Sequence, residues 1–99
     1  APLTVHVDGD FEPLLPKFMA NRKKEVEIMR DAVARLDFET VRKVAHGMKG
    51  AGGSYGFDHV TTLAAIIEQA AKTGTAATIA AQLAQLGTYL EHVQIVFDE

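Results

Sequence analysis

The sequence has no cysteine. Disulfides and thiolate metal sites are therefore excluded. No apolar run approaches the ~18 residues that a membrane helix needs, and no charged-then-apolar N-terminal stretch suggests a signal peptide. Basic charge is not in excess: 10 Lys and Arg stand against 13 Asp and Glu, for a net charge of −3. That balance disfavours bulk attraction to nucleic acid or to an anionic membrane. No HxxxH or HExxH pair occurs, so zinc has no framework. No partner among nucleic acids or membranes is expected, and a soluble cytoplasmic domain is.

What is present is enough for one modest core. The chain has 99 residues, 47% of them hydrophobic, which predicts a single folded domain. A start at Ala1 is compatible with a piece of a longer protein. Leu3 to Val7 alternates, but over so few residues it predicts no more than an extended arm or edge strand. VDGDFEP is turn-like. From there the spacing turns helical. Leu14, Leu15, Phe18, Met19, Val26, Met29, Val33 and Leu36 recur every three to four residues. Asn21 to Lys24 is either a solvated stretch of that helix or a seam between two. Asp37 is placed to cap a second helix, with inner positions Val41, Val44, Met48, Ala51 and Tyr55 and a stop at Gly56. Asp58 is expected to cap a third, with Val60, Leu63, Ala64, Ile67, Ala70 and Ala71 inward, ended by Lys72 and Gly74. Thr75 is expected to cap a fourth, in which Ile79, Leu83, Leu86, Leu90, Val93 and Phe97 form the inner face. The expectation is an all-α fold: an antiparallel four-helix bundle over 11–99 behind a short extended N-terminal arm over 1–10.

The stretch AHGMKGAGGSYGF, from Ala45 to Phe57, holds five glycines. A P-loop needs GxxxxGK followed by Ser or Thr, but Gly53 stands where the lysine must be. A dinucleotide fingerprint needs GxGxxG, but Tyr55 fills the last glycine position. The helical period instead runs through the glycines. At ~100° per residue, Val44, Met48, Ala51 and Tyr55 fall opposite His46, while Arg42, Lys49, Gly50 and Gly53 fall near it. Each helical glycine costs ~1 kcal/mol relative to alanine. Gly52 points to a flank, where it can admit a neighbouring helix. Gly50 and Gly53 point outward with His46, leaving a bare strip on which a partner surface can lie flat.

An exposed histidine titrates near pH ~6.5, so a large share of it is neutral and nucleophilic at pH 7. Lys49, one turn on, can offset the charge of a phosphoryl group. Arg42 and Lys43, one turn before, make a small basic surface suited to a partner with an acidic pocket. The remaining histidines, His6, His59 and His92, have no such setting, Ser54 has no nucleophile elbow, and Met19, Met29 and Met48 fit core positions.

The run His46-Gly47-Met48-Lys49-Gly50, followed by Gly53, Gly56 and Phe57, resembles the HxxKG…G motif of histidine-containing phosphotransfer (HPt) domains. The resemblance takes in the whole block AHGMKGAGGSYGF, then Leu63 and Glu68, and the helical pattern from about Phe11 to Phe97. It implies that His46 carries a phosphoryl group, that Lys49 neutralises it, and that Gly50 and Gly53 keep the docking face open. Glu68 sits where related domains place a carboxylate or amide that bonds the imidazole. Gly47 departs from the larger residue often found after the histidine. The implied function is a phosphocarrier between a histidine kinase or one receiver domain and another receiver's aspartate. No ATP site and no cofactor are implied in this chain, and the Mg²⁺ would be the receiver's. Two alternatives stay open: a helical interaction module without phosphotransfer, and the excised phospho-accepting domain of a chemotaxis-type kinase.

Overall fold

A computed structural model of the chain describes residues 3–99; Ala1 and Pro2, the start of the expected arm, lie outside them. Strand β1 (Thr4–Asp8) leads through a 3-10 turn (Gly9–Leu14) into α1 (Leu15–Ala34). Helices α2 (Phe38–Tyr55), α3 (Asp58–Thr73) and α4 (Ala76–His92) follow, and strand β2 (Gln94–Asp98) closes the chain. Helix α1 packs on α2 and α4, and α3 packs on the same two, so the four helices form a ring around one core.

Helix α1 starts where Pro16 is tolerated, in the first turn, and runs unbroken through Asn21 to Lys24. Within that polar stretch Arg22 is buried. Its guanidinium lies over the Phe18 ring and donates to Glu25 from Nε at 2.7 Å. The first three helices end alike. A residue in the left-handed conformation breaks the helix, and the next amide reaches back to a carbonyl five residues earlier: Asp37 to Ala32, Phe57 to Gly52, Thr75 to Ala70. Gly56 and Gly74 take that conformation readily, but at the end of α1 it falls to Leu36, with φ of 57°.

Leu14 and Leu36 belong to the apolar spacing expected of the first helix, and both are exposed. Leu36 lies past the helix end, and Leu14 lies in the 3-10 turn before it. On α2 the buried stripe is Val41, Ala45, Met48 and Gly52, with Val44, Ala51 and Tyr55 at its half-buried margins. The expected inner face of α3 is buried at every position. Asp37 caps α2 by accepting from the Thr40 amide, as its position predicts. Asp58 does not cap α3. Phe57 holds the cap position and buries its ring against Phe18, at 4.9 Å between centroids, while Asp58 sits in the first turn. Thr75 stands at the N-cap of α4 but makes no capping bond; its hydroxyl pairs with that of Thr73 at 2.8 Å.

The larger departure is at the C-terminus. The expected fourth helix runs to Phe97, yet α4 ends at His92 and Val93 turns extended. Residues Gln94–Asp98 pair in parallel with β1, Thr4 against Gln94 through Asp8 against Asp98. The segment is rich in β-branched and aromatic side chains, and the waiting strand completes its hydrogen bonds. Gly9 marks how tightly the ribbon closes, since a Cβ there would lie 2.7 Å from the Asp98 carbonyl oxygen.

Candidate functional site

Helix α2 is the element that presents the site. Its buried stripe turns Ala45 and Met48 into the core, and this leaves His46 on the outer side with 67% of its side chain exposed. Gly47, Gly50 and Gly53 share the exposed surface. Among the described residues, a methyl group added at Gly47 or Gly50 would meet nothing within 4 Å, and one at Gly53 would meet only the Thr61 hydroxyl, at 3.8 Å. Packing inside the domain therefore asks for no glycine at those three places. Gly52 is different. A Cβ there would lie 2.8 Å from Thr61 Oγ1 and 3.1 Å from Val60 Cγ1, so α3 approaches α2 at a distance that only glycine allows.

That approach brings Glu68 of α3 beside the imidazole. The Glu68 side chain is only 8% exposed. One carboxylate oxygen lies 2.8 Å from His46 Nδ1, and the other accepts from Lys49 Nζ at 2.7 Å. Both oxygens of a buried carboxylate are thus satisfied by charge-assisted partners, which offsets the cost of removing it from water. The Lys49 hydrogen bond first, and the His46 bond second, hold the Glu68 carboxyl down at about 2, against burial, which pushes it up. Glu68 is therefore ionised at neutral pH, and an ionised carboxylate can only accept. The Nδ1 position carries the proton in that bond, and the lone pair of the neutral ring is at Nε2. Among the described residues nothing bonds Nε2.

Around this centre the expected basic surface is present but partnered. Arg42 donates from Nε to Glu39 at 3.1 Å, and Lys43 Nζ lies 3.8 Å from the same carboxylate. Glu39, about two turns before His46, takes up part of the charge that Arg42 and Lys43 bring. The other histidines stand apart from it. His6 pairs with Asp98 across the ribbon at 3.1 Å, His59 lies against Tyr89 with 4.7 Å between ring centroids, and His92 ends α4. Among the described residues, no cluster of three or more His, Asp or Glu could hold a metal ion, and no helix is long and apolar enough to cross a membrane.

An exposed imidazole held at Nδ1 by a buried carboxylate, with an ammonium one turn on and bare glycines beyond, is the arrangement against which known families can be set. The family model of the Hpt domain matches residues 13–95, nearly the whole chain. The chain belongs to the Hpt domain family. No curated protein and no solved structure matches significantly. Hpt domains are phosphocarrier modules of two-component signalling that work with receiver domains and kinases, and the helical bundle here is the fold of that family.

Two features of this Hpt domain escape sequence reasoning. Lys49 is engaged by Glu68 in the resting protein, although its spacing from His46 suggests a free cation. Thr61 sits in the α2–α3 seam, and no motif singles it out. Both depend on how two helices meet, which helical period alone does not state.

Proposed function

We propose that His46 is the phosphorylated residue of a phosphorelay intermediate. The observation that carries this reading is the Glu68–His46 bond at 2.8 Å, made by a buried carboxylate to an otherwise exposed ring. It leaves Nε2 as the nucleophile. In the step, the Nε2 lone pair attacks phosphorus of a receiver's aspartyl phosphate, or of a kinase's ATP. The N–P bond forms as the bond to the leaving oxygen breaks, and the electron pair stays with the departing carboxylate or ADP. The ring becomes cationic as it bonds phosphorus, and ionised Glu68 stabilises that charge through the Nδ1 proton. Return to a second receiver's aspartate reverses these changes.

Lys49 is the group that answers the added negative charge. Gly50 and Gly53 leave room for the partner, and Arg42 and Lys43 lie on its approach. In this reading the domain holds no cofactor of its own, and the receiver brings Mg²⁺ and the remaining catalytic groups. The domain does not phosphorylate itself, and its setting is the cytoplasm, where receivers and kinase cores reside.

The test is incubation with a phosphorylated receiver. Acid-labile, base-stable phosphate is expected on the wild-type chain and none on His46→Gln. His46→Gln takes the Nδ1 donor from buried Glu68, so the variant is expected to lose about 1 kcal/mol of stability and still fold, which a denaturant melt checks. Labelling of a folded His46→Gln protein at the wild-type level would remove His46 from the reaction. A wild-type chain that takes no phosphate from any receiver, kinase or small phosphodonor would leave the interaction-module reading in its place.

A further inference from the structure

Lys49 is tied to α3 at both of its ends. Its ammonium donates to Glu68, and its backbone carbonyl accepts from the Thr61 hydroxyl at 3.1 Å. Thr61 and Glu68 are seven residues apart on one helix. At ~100° and ~1.5 Å per residue they share a face and stand ~10 Å apart along the axis. The two contacts therefore form one ladder along the α2–α3 seam, with the reactive imidazole on its upper rung.

We propose that Thr61 is a positioning residue for phosphotransfer: it pins the α3 face to the backbone of α2 and so sets the reach of Glu68 to His46 and Lys49. Three observations carry this. First, the carbonyl that Thr61 bonds lies inside α2, where the helix ladder uses one lone pair and leaves the other free. The bond thus adds a tether without competing for the helix. Second, the contact is built around the missing side chain of Gly52. A Cβ there would be 2.8 Å from Thr61 Oγ1 and 3.2 Å from the Thr61 amide nitrogen, so backbone as well as side chain is drawn in. Third, His46 is so exposed that little besides Glu68 orients its ring. A carboxylate delivered from a neighbouring helix keeps its ~2.8 Å bond only if the two helices cannot slide, since a shift of ~1 Å takes it out of range.

The role rests on the phosphotransfer reading of His46, and the test separates the two. Thr61→Val keeps the shape and deletes the hydroxyl; Thr61→Ser keeps the hydroxyl. Each is made in the full chain, alongside Gly52→Ala, which keeps the hydroxyl but places a methyl against it. Two quantities are read: the ¹⁵N signals of the His46 imidazole, and the transfer rate from both a phosphorylated receiver and a small phosphodonor. In Thr61→Val the ring is expected to lose its single Nδ1–H tautomer signature, and transfer from both donors is expected to fall about threefold to tenfold. Thr61→Ser is expected to restore both to within about twofold. Gly52→Ala is expected to match Thr61→Val in the imidazole spectrum, and it carries the test if Thr61→Val does not fold. A folded Thr61→Val or Gly52→Ala chain with the wild-type spectrum and rates overturns the proposal, whatever its loss of stability. If the imidazole signals change as expected but the wild-type chain takes no phosphate, it is the phosphotransfer reading that fails and the positioning role that stands.

Discussion

Lys49 Nζ donates to Glu68 Oε1 at 2.7 Å, so the ammonium nearest His46 already has an anionic partner before any phosphate arrives. A phosphoryl group on Nε2 would have to share that cation with Glu68. The lysine is then an adjustable counter-charge rather than a fixed one.

If His46 is the nucleophile and Lys49 only stabilises charge, as proposed, Lys49→Ala is expected to slow phosphoryl transfer about tenfold without abolishing it. The same substitution removes the largest influence holding Glu68 acidic, so the Glu68 carboxyl should titrate at higher pH. Single-turnover rates at low and moderate salt, with carboxyl titration by NMR, check both. Unchanged rates at both salt concentrations would exclude Lys49 from the mechanism.

The Glu68 carboxyl also sets a pH dependence of stability. Its folded value, about 2, lies below its ordinary value of 4.5. A depressed folded value gives stability that is complete above the unfolded value and is lost as pH falls through the folded one. The window therefore runs from about pH 5 down to about pH 2. Urea unfolding of wild type and Glu68→Gln should differ most near neutrality, and the gap should narrow across that window. A gap of constant size would mean that the carboxylate's two bonds add nothing to stability.

Gly53 stands about two turns beyond His46, and among the described residues an added Cβ would touch the Thr61 hydroxyl alone, at ordinary contact distance. Gly53→Gln should therefore leave stability unchanged or raise it by ~0.5 kcal/mol, since glutamine favours helix more than glycine does. If Gly50 and Gly53 form the proposed docking strip, transfer from a receiver should fall steeply. Transfer from a small phosphodonor should hardly change. Equal losses with both donors would instead show that the glycine shapes the surroundings of the imidazole itself.

Leu36 ends α1 in the left-handed conformation with 66% of its surface exposed. The Cβ penalty there is ~1–2 kcal/mol, and the buried contacts to be lost are few. Part of that gain is returned through the greater freedom of glycine in the unfolded chain. Leu36→Gly is expected to raise the unfolding free energy by ~0.5–1 kcal/mol, measured by denaturant melts. A loss of stability would mean that the covered third of the leucine matters more than its backbone.

The face of α2 could be read from sequence because His46, Lys49, Gly50 and Gly53 lie on one helix, where spacing alone fixes direction. Glu68 could not be placed that way. It comes from another helix, and only the likeness to the Hpt motif points to it. Its second bond, to Lys49, follows from how closely Gly52 lets the helices approach. Strand β2 was illegible for a related reason. Val93 and Phe97 continue the spacing of Leu83, Leu86 and Leu90, so the local signal favours helix. What overrides it is β1, at the far end of the chain. Leu36 misled because its spacing is helical while its backbone is doing the work of a glycine.

The pairing of β1 with β2 has a consequence for how the chain folds. Each registered pair joins residues from opposite ends of the molecule, Thr4 with Gln94 and Asp8 with Asp98. Closing so long a loop costs entropy that only an already compact chain can offset, and contacts of that range form late. The helix pairs, by contrast, join neighbours in sequence. The ribbon is thus a latch drawn shut after the bundle has assembled. The seam that holds His46 belongs to α2 and α3, adjacent helices joined by a short turn, so it can be in place before the latch closes.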